Sequence, residues 1–399
     1  MTGRNVLFIS GSLGLGHIKR DLVIARELRG LCPDVELSWL AAHPATMAIE
    51  AAGERLHPEA VNYANDNEPA ERAAEGGQLN LLKYLMNASK DWRRNVEVYS
   101  RIAANEQVDL VVGDETYELN VGFLKKPELK RSPFVMIYDF VGLDAMTANP
   151  KEWLGIYMWN RIWSKDFRRG RPPVHDKAIF IGEEEDVPDK PFGPLLPGRR
   201  EWARAYCDFV GYVLSFDPSA FQDRSRIRAR FGYGDEPLIV CAIGGTAIGK
   251  ELLNLCGQAF PLLRQQLADL RMLLVCGPRL EADSLEVPNG VEVRGYVPDL
   301  HEQFAACDLA IIQGGGTTTL ELTALKRPFV FFPIEDHFEQ AQIAQRLERH
   351  GAGVRMSLSE TSPERLAEQV LSTLDQRPSF ASIPVGGGRR AAELIAELL

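Results

Sequence analysis

NVLFISGSLGLGH, residues Asn5 to His17, and PLIVCAIGGTAIGK, residues Pro237 to Lys250, are built alike: a short apolar strand, a glycine-rich turn, then a helical pattern. Each strand is apolar at consecutive positions, as a strand buried on both faces must be. Glycine then lets backbone approach a ligand closely, and the helix N-terminus that follows offers bare N–H groups and a favourable dipole to an anion. One such element in each half of the chain predicts two nucleotide-binding-like domains.

The flanking sequence extends both patterns. In the N-terminal half, Val35–Leu40, Leu110–Gly113 and Pro133–Tyr138 are further strand-like runs, with helical spacing over Ile18–Leu31 and from about Leu79 to Ala104. The C-terminal half alternates helices with Leu238–Ala242, Leu273–Cys276, Val291–Arg294, Leu309–Gln313 and Phe329–Phe332. That alternation means parallel sheets covered by helices, a doubly wound α/β chain. The proline-rich stretch Pro188–Pro197 and the strand-like FVGYVL (209–214) place a domain join near Gly211. The expected domains are 1–210 and 211–383, with a terminal helix in 384–399 that can cross back to the first.

Composition bounds the function. A chain of 399 residues has room for about two domains. A net charge of -10 argues against nucleic acid as partner, since phosphate backbones are held by excess Lys and Arg. No apolar run approaches the ~20 residues of a spanning helix, and the N-terminus enters a strand without a secretion leader, so the expected location is cytoplasmic. Cys32, Cys207, Cys241, Cys256, Cys276 and Cys307 form no C-x-x-C pair and read as reduced and structural. No Asp-x-Asp occurs and no His/Cys cluster has metal-ligand spacing, so no metal is expected.

The densest group of motifs runs from Gly295 to Gln340. It comprises Gly295-Tyr296-Val297-Pro298, the strand LAIIQ, Gly314-Gly315-Gly316-Thr317-Thr318-Thr319, a helix carrying Glu321, the strand FVFFP, and Asp336-His337-Phe338-Glu339-Gln340. The Gly-Thr turn gathers N–H groups and hydroxyls at a helix N-terminus, a seat for a diphosphate. Glu321, expected in the first turn, suits two ribose hydroxyls, although a first-turn carboxylate also simply complements the helix dipole. GGTAIGK nearly spells a P-loop, but Glu251 stands where the magnesium-binding Ser or Thr belongs, which rejects a nucleoside triphosphatase.

This order of motifs resembles the donor site of GT-B glycosyltransferases, nucleotide-sugar enzymes with two Rossmann-like domains facing a central cleft. It is similar both to small-molecule members and to the enzyme that adds N-acetylglucosamine to lipid-linked muramyl peptide. The resemblance implies that Tyr296 and Val297 hold the base, that Gly315, Gly316, Thr317 and Thr318 hold the diphosphate with Gly244, Gly245 and Thr246 opposite, that Glu321 holds the ribose, and that Glu339 and Gln340 hold the sugar. Gln313 stands where small-molecule members often have His. In the first glycine loop, Gly14 and Gly16 lead to His17, which the resemblance makes the general base for an acceptor hydroxyl. Asp114, with Glu115 as its rival, would orient that ring and stabilise its charged form, and a helix N-terminus would bias the ring towards neutral.

The implied activity is transfer of a sugar from a nucleoside diphosphate sugar, uridine favoured and thymidine compatible, to a small-molecule or lipid-linked acceptor. Inversion is expected, with no cofactor and with backbone N–H groups instead of a metal on the leaving diphosphate. A sugar-nucleotide epimerase or hydrolase of the same architecture, and a non-catalytic nucleotide-sugar binder, are the alternatives. Finally, KEWLGIYMWNRIWSKDFRRGR (151–171) sets Trp153, Trp159 and Trp163 among basic residues. That composition suits peripheral contact with the cytoplasmic face of a membrane, or a lipid-bearing acceptor. A buried aromatic helix followed by a solvated basic turn is the competing expectation.

Overall fold

The computed structural model describes residues 3–11, 15–64, 74–75, 78–79, 81–245, 249–335, 337–376 and 380–399, with 74–75, 78–79 and 81–90 described by backbone alone. Gly14, Thr246 and Asp336 of the motifs above lie outside the described residues. The chain divides into two compact units. The first is Met1–Ala73, Asn80–Ser215 and Pro384–Leu399; the second is Ala74–Leu79 and Phe216–Ile383.

The sheet of the first unit contains β1 (Arg4–Ile9), β2 (Val35–Leu40), β3 (Leu110–Asp114), β4 (Phe134–Tyr138), β5 (Lys177–Phe180) and β6 (Cys207–Phe209). All pair in parallel, in the order β2-β1-β3-β4-β5-β6. Alternate side chains of β1 face opposite layers, which is why its apolar run is unbroken. Val6 and Phe8 join Ile24 and Leu28 of the helix Gly16–Leu31. Leu7 and Ile9 join Val98 and Ile102 of the helix Leu81–Asn105 on the other face. Each such side chain contributes about 1.5–3 kcal/mol on burial, so a single polar replacement on either face breaks a layer.

In the second unit, β7 (Leu238–Ala242), β8 (Arg271–Val275), β9 (Val291–Arg294), β10 (Leu309–Gln313), β11 (Phe329–Phe332) and β12 (Val354–Arg355) form a parallel sheet in the order β9-β8-β7-β10-β11-β12. Ile239 and Cys241 face one layer, Val240 and Ala242 the other. This is the same two-faced burial as in β1, and it accounts for the same sequence signature. The six cysteines are free thiols.

The segment FVGYVL and two short strands depart from expectation. FVGYVL is not a continuous strand: β6 ends at Phe209, Gly211 turns with φ 78°, and only single bridges follow, from Gly211 to Gly182 and from Val213 to Gly386. A Cβ at Gly211 would lie 2.9 Å from the Pro384 carbonyl oxygen, so this turn exists to admit the terminal segment. Lys177–Phe180 and Val354–Arg355 are strands too short and too mixed to stand out by periodicity. The terminal helix, Gly387–Ala396, packs on the helix Gly16–Leu31, where a Cβ at Gly388 would approach Val23 Cγ1 to 2.7 Å.

Close approach also constrains Gly113 in β3, where a Cβ would fall 2.0 Å from Thr116 Oγ1 and 3.1 Å from the Phe134 ring. Gly113→Val is therefore expected to destabilise the protein by about 1–3 kcal/mol through overpacking. Gly30→Ala, in an exposed last turn with nothing within 4 Å, is expected to stabilise by about 0.5–1 kcal/mol. Urea unfolding of both variants checks the opposite signs.

Candidate active site

In a doubly wound sheet, ligands sit beyond the carboxyl ends of the strands where the order reverses. In the first unit that point lies between β1 and β3. The loop after β1 leads into the helix Gly16–Leu31, which carries His17 in its first turn, and Asp114 is the last residue of β3. His17 Nδ1 and Asp114 Oδ2 are 3.0 Å apart, with Asp114 only 1% exposed. The competing carboxylate, Glu115, lies on the opposite side of the ring, its Oε2 3.8 Å from Nε2. The backbone of Glu115 is left-handed, with φ 51°, a strained conformation for a residue with a side chain, and the kind of strain that collects at functional sites.

Two residues that the sequence reading passed over complete the cluster. Arg20 forks onto Asp114, donating from Nε to Oδ2 at 3.1 Å and from Nη2 to Oδ1, and donates from Nη1 to Asp139 Oδ2 at 2.7 Å. Its Nη2 is also 2.9 Å from His17 Nδ1. Arg20 was legible as the residue three positions after His17, hence on the same helical face. Asp139 was legible as an acid directly after the β4 strand. Beneath them, Ser10 Oγ donates to the fully buried Asp21 at 2.6 Å.

The electrostatics correct one expectation. Burial opposes a charge on His17 most strongly and Arg20 opposes it too, but the charge and hydrogen bond of Asp114, together with Asp139, win, so the ring is pushed up to about 9. Neighbouring acids override the helix dipole, and His17 is protonated at neutral pH. Asp114 is held below its ordinary range despite burial, chiefly by Arg20 and His17. Asp21 is pushed well above its ordinary range by burial and by the charge of Asp114. His17, Glu115 and Asp139 each bring a ligand-type atom within 4.8 Å of the others. Arg20 already supplies the positive charge there through Asp139, so the grouping reads as an ion-paired network.

In the second unit the order reverses between β7 and β10. Gly244, with φ 82°, and Gly245 follow β7, and a Cβ at Gly277 would fall 2.1 Å from the Gly244 carbonyl oxygen. Gln313 ends β10, and its Nε2 lies 3.1 Å from where a Cβ of Gly249 would stand. Gly315 N–H donates to the Gln313 carbonyl at 2.6 Å and opens the helix Gly316–Ala324, with Gly316, Thr317 and Thr318 in its half-exposed first turn. Those first N–H groups have no intrahelical partner. Gln340 is buried, accepting from Ile334 N–H at 2.6 Å beside Gly314, and Glu339 is half-buried next to it. A shallow open depression is lined by Gly249, Gln313, Phe332, Pro333, Glu335 and Ser359.

Not every expected residue joins this group. Tyr296 and Val297 follow the edge strand β9, two strands from β7, with Val297 packed partly into the core. Glu321 lies in the second turn of its helix, not the first, and is 2% exposed. The aromatic-basic stretch divides by face. In the helix Pro150–Trp163, Asn149 caps Lys151 N–H, and Glu152, Ile156 and Asn160 are buried, while Trp153, Leu154, Met158 and Ile162 are 42–56% exposed. Trp163 joins the aromatic cluster of Tyr117, Tyr138 and Trp202. Among the described residues, no helix is long and apolar enough to cross a membrane.

Comparison with known proteins fits this geometry. Residues 239–384 match the glycosyltransferase family 28 C-terminal domain. An uncharacterized glycosyltransferase of Methanopyrus kandleri is 29% identical over 48% of this chain, and the match spans about half (54%) of that protein. The UDP-N-acetylglucosamine--N-acetylmuramyl-(pentapeptide) pyrophosphoryl-undecaprenol N-acetylglucosamine transferase of a Mycobacterium species is 26% identical, covering 100% of this chain and 96% of its own. In structure, Acinetobacter baumannii MurG superposes with a TM-score of 0.55 at 16% identity, covering 99% of both chains. The fold is thus GT-B, two Rossmann-like units. Residues 239–384 carry a domain similar to that of family 28 glycosyltransferases, and the chain is similar along its whole length to a named N-acetylglucosamine transferase.

A pH test follows from the His17 environment. Because its folded value is raised above about 6.5, the His17–Asp114 pair contributes stability that is fully present below about pH 6.5 and is lost as pH rises through about 9. At most, about 3 kcal/mol is at stake. The unfolding free energy of the wild type minus that of His17→Gln is expected to shrink between about pH 6.5 and 9, as read by denaturant titration.

Proposed function

We propose that the protein transfers a sugar from a nucleoside diphosphate sugar to an acceptor hydroxyl, with inversion and without a metal ion. One observation carries this reading: the His17–Asp114 pair at the carboxyl end of β1, with Nδ1 engaged by the carboxylate and Nε2 on the side away from it. In its neutral form with Nδ1–H donating to Asp114, the ring keeps a lone pair on Nε2. That lone pair takes the acceptor hydroxyl proton while the oxygen forms its bond to the anomeric carbon. The bond from that carbon to the diphosphate oxygen breaks, and the diphosphate leaves with the electron pair. Asp114 stabilises the imidazolium so formed.

The second unit supplies the donor seat. Bare N–H groups of Gly316, Thr317 and Thr318, with the glycine turn at Gly244 and Gly245, suit the two phosphates and the charge that grows on the leaving group. Gln313 and Gln340 offer amides beside them. A uridine diphosphate sugar is the favoured donor, with thymidine diphosphate sugars compatible; the Mycobacterium relative is named for a UDP-sugar donor and a lipid-linked acceptor. Tyr296 and Val297 serve the base, and Glu339 with Gln340 the sugar. Glu321 reaches the ribose only if its helix turn shifts, given its burial.

Since His17 is held near 9, about 1% of it is neutral at pH 7, and kcat/KM is expected to climb with pH towards that value. His17→Ala should lose about 10²–10⁴-fold in turnover while donor binding, read by thermal stabilisation with a panel of nucleoside diphosphate sugars, is kept. Release of free sugar or of an epimer from donor alone, or no turnover with any acceptor despite donor binding, would sink the transferase reading.

The exposed stripe of Leu154, Met158 and Ile162, flanked by Trp153, Arg161, Arg168 and Arg169, fits the headgroup region of an anionic bilayer at the cytoplasmic face. Such contact would place the protein beside a lipid-linked acceptor. Leu154→Gln combined with Met158→Gln is expected to abolish cosedimentation with phosphatidylglycerol vesicles. Equal binding of wild type and variant would remove this surface from consideration.

A further inference from the structure

The His17 ring is faced by charged groups from every element around it. Arg20 and Asp21 belong to its own helix, Asp114 and Glu115 to the end of β3, and Asp139 to the end of β4, while Tyr117 donates to Glu115 at 3.3 Å. Of these, Arg20 alone is a cation. It is 10% exposed, both oxygens of Asp114 are taken by its fork, Nη1 holds Asp139, and Nη2 stands 2.9 Å from His17 Nδ1.

A carboxylate hydrogen-bonded at both oxygens by a guanidinium gives less of its charge to a third partner. The same guanidinium, so near Nδ1, repels a proton on the ring. Both effects act in one direction, lowering the proton affinity that Asp114, Glu115 and Asp139 would otherwise impose.

We propose that Arg20 is a positioning residue for His17, its fork on Asp114 and Asp139 setting how readily the imidazole gives up its proton. The inference rests on the reading of His17 as the base. Arg20 touches no reacting atom; it limits how far the surrounding acids raise the proton affinity of the base.

The test is the titration of His17 by NMR in the intact, substrate-free protein. His17→Gln identifies its resonance among the 7 histidines. Arg20→Met is expected to raise the His17 midpoint by about one pH unit or more, as removal of a cation within a few ångströms should. The acidic limb of kcat/KM should move by the same amount. Arg20→Lys, which keeps the charge and loses the fork, should return the midpoint most of the way. If Arg20→Met does not fold, Arg20→Gln, neutral but planar, carries the same expectation. A midpoint unmoved in the neutral variant would overturn the proposal and leave a purely structural arginine. Because the titration is read without turnover, that result is distinct from failure of the base reading, which would appear as full activity in His17→Ala.

Discussion

A carboxylate enclosed to 1% exposure costs several kcal/mol unless it is matched by charge and hydrogen bonds, and Asp114 is such a group. The local architecture of the first unit answers to it. Arg20 and His17 reach it from the helix that opens immediately after the glycine loop, so that loop must bring the helix start over the end of β3. Gly113 must lack a side chain for Thr116 to tuck beneath the turn, and Glu115 accepts a left-handed backbone so that the chain can leave the strand at the required angle. Asp139 then closes the set from the next strand.

The second unit meets a different demand with the same topology. Gly244, Gly277 and Gly314 stand within two residues of the ends of β7, β8 and β10. Gly244, Gly249 and Gly277 sit where a Cβ is excluded by backbone conformation or by a neighbour, and the loops after β7, β8 and β10 close on one another as a result. A surface of N–H groups and amides suits an anionic ligand whose charge is to be held and then released, whereas the ionic network of the first unit suits movement of a proton.

The large features were legible because they arise from periodicity. β7, β10 and β11 coincide with apolar runs seen in the sequence, since burial on both faces leaves no room for ambiguity. Segments governed by a single backbone event were not. Gly211 interrupts an apolar run without changing its composition, and only a contact with Pro384, distant in sequence, explains why. In the site, glycines and His17 announced themselves by local motif, and Asp114 by its position at a strand end. Arg20 and Asp139 did not, because a charged residue on a helix or after a strand is commonplace until the fold shows what lies opposite. The charge state of His17 was misread for the same reason: the acids that decide it come from other elements.

The closure of the first unit by its last helix has a consequence for biosynthesis. Gly387 and Gly388 fit against Tyr212 and Val23, and Ala391, Ala392, Leu394 and Ile395 belong to the same buried layer as β1. A ribosome delivers these residues only after the whole second unit has emerged, so the domain made first is the domain finished last. Until then part of one apolar layer of the nascent chain stays uncovered.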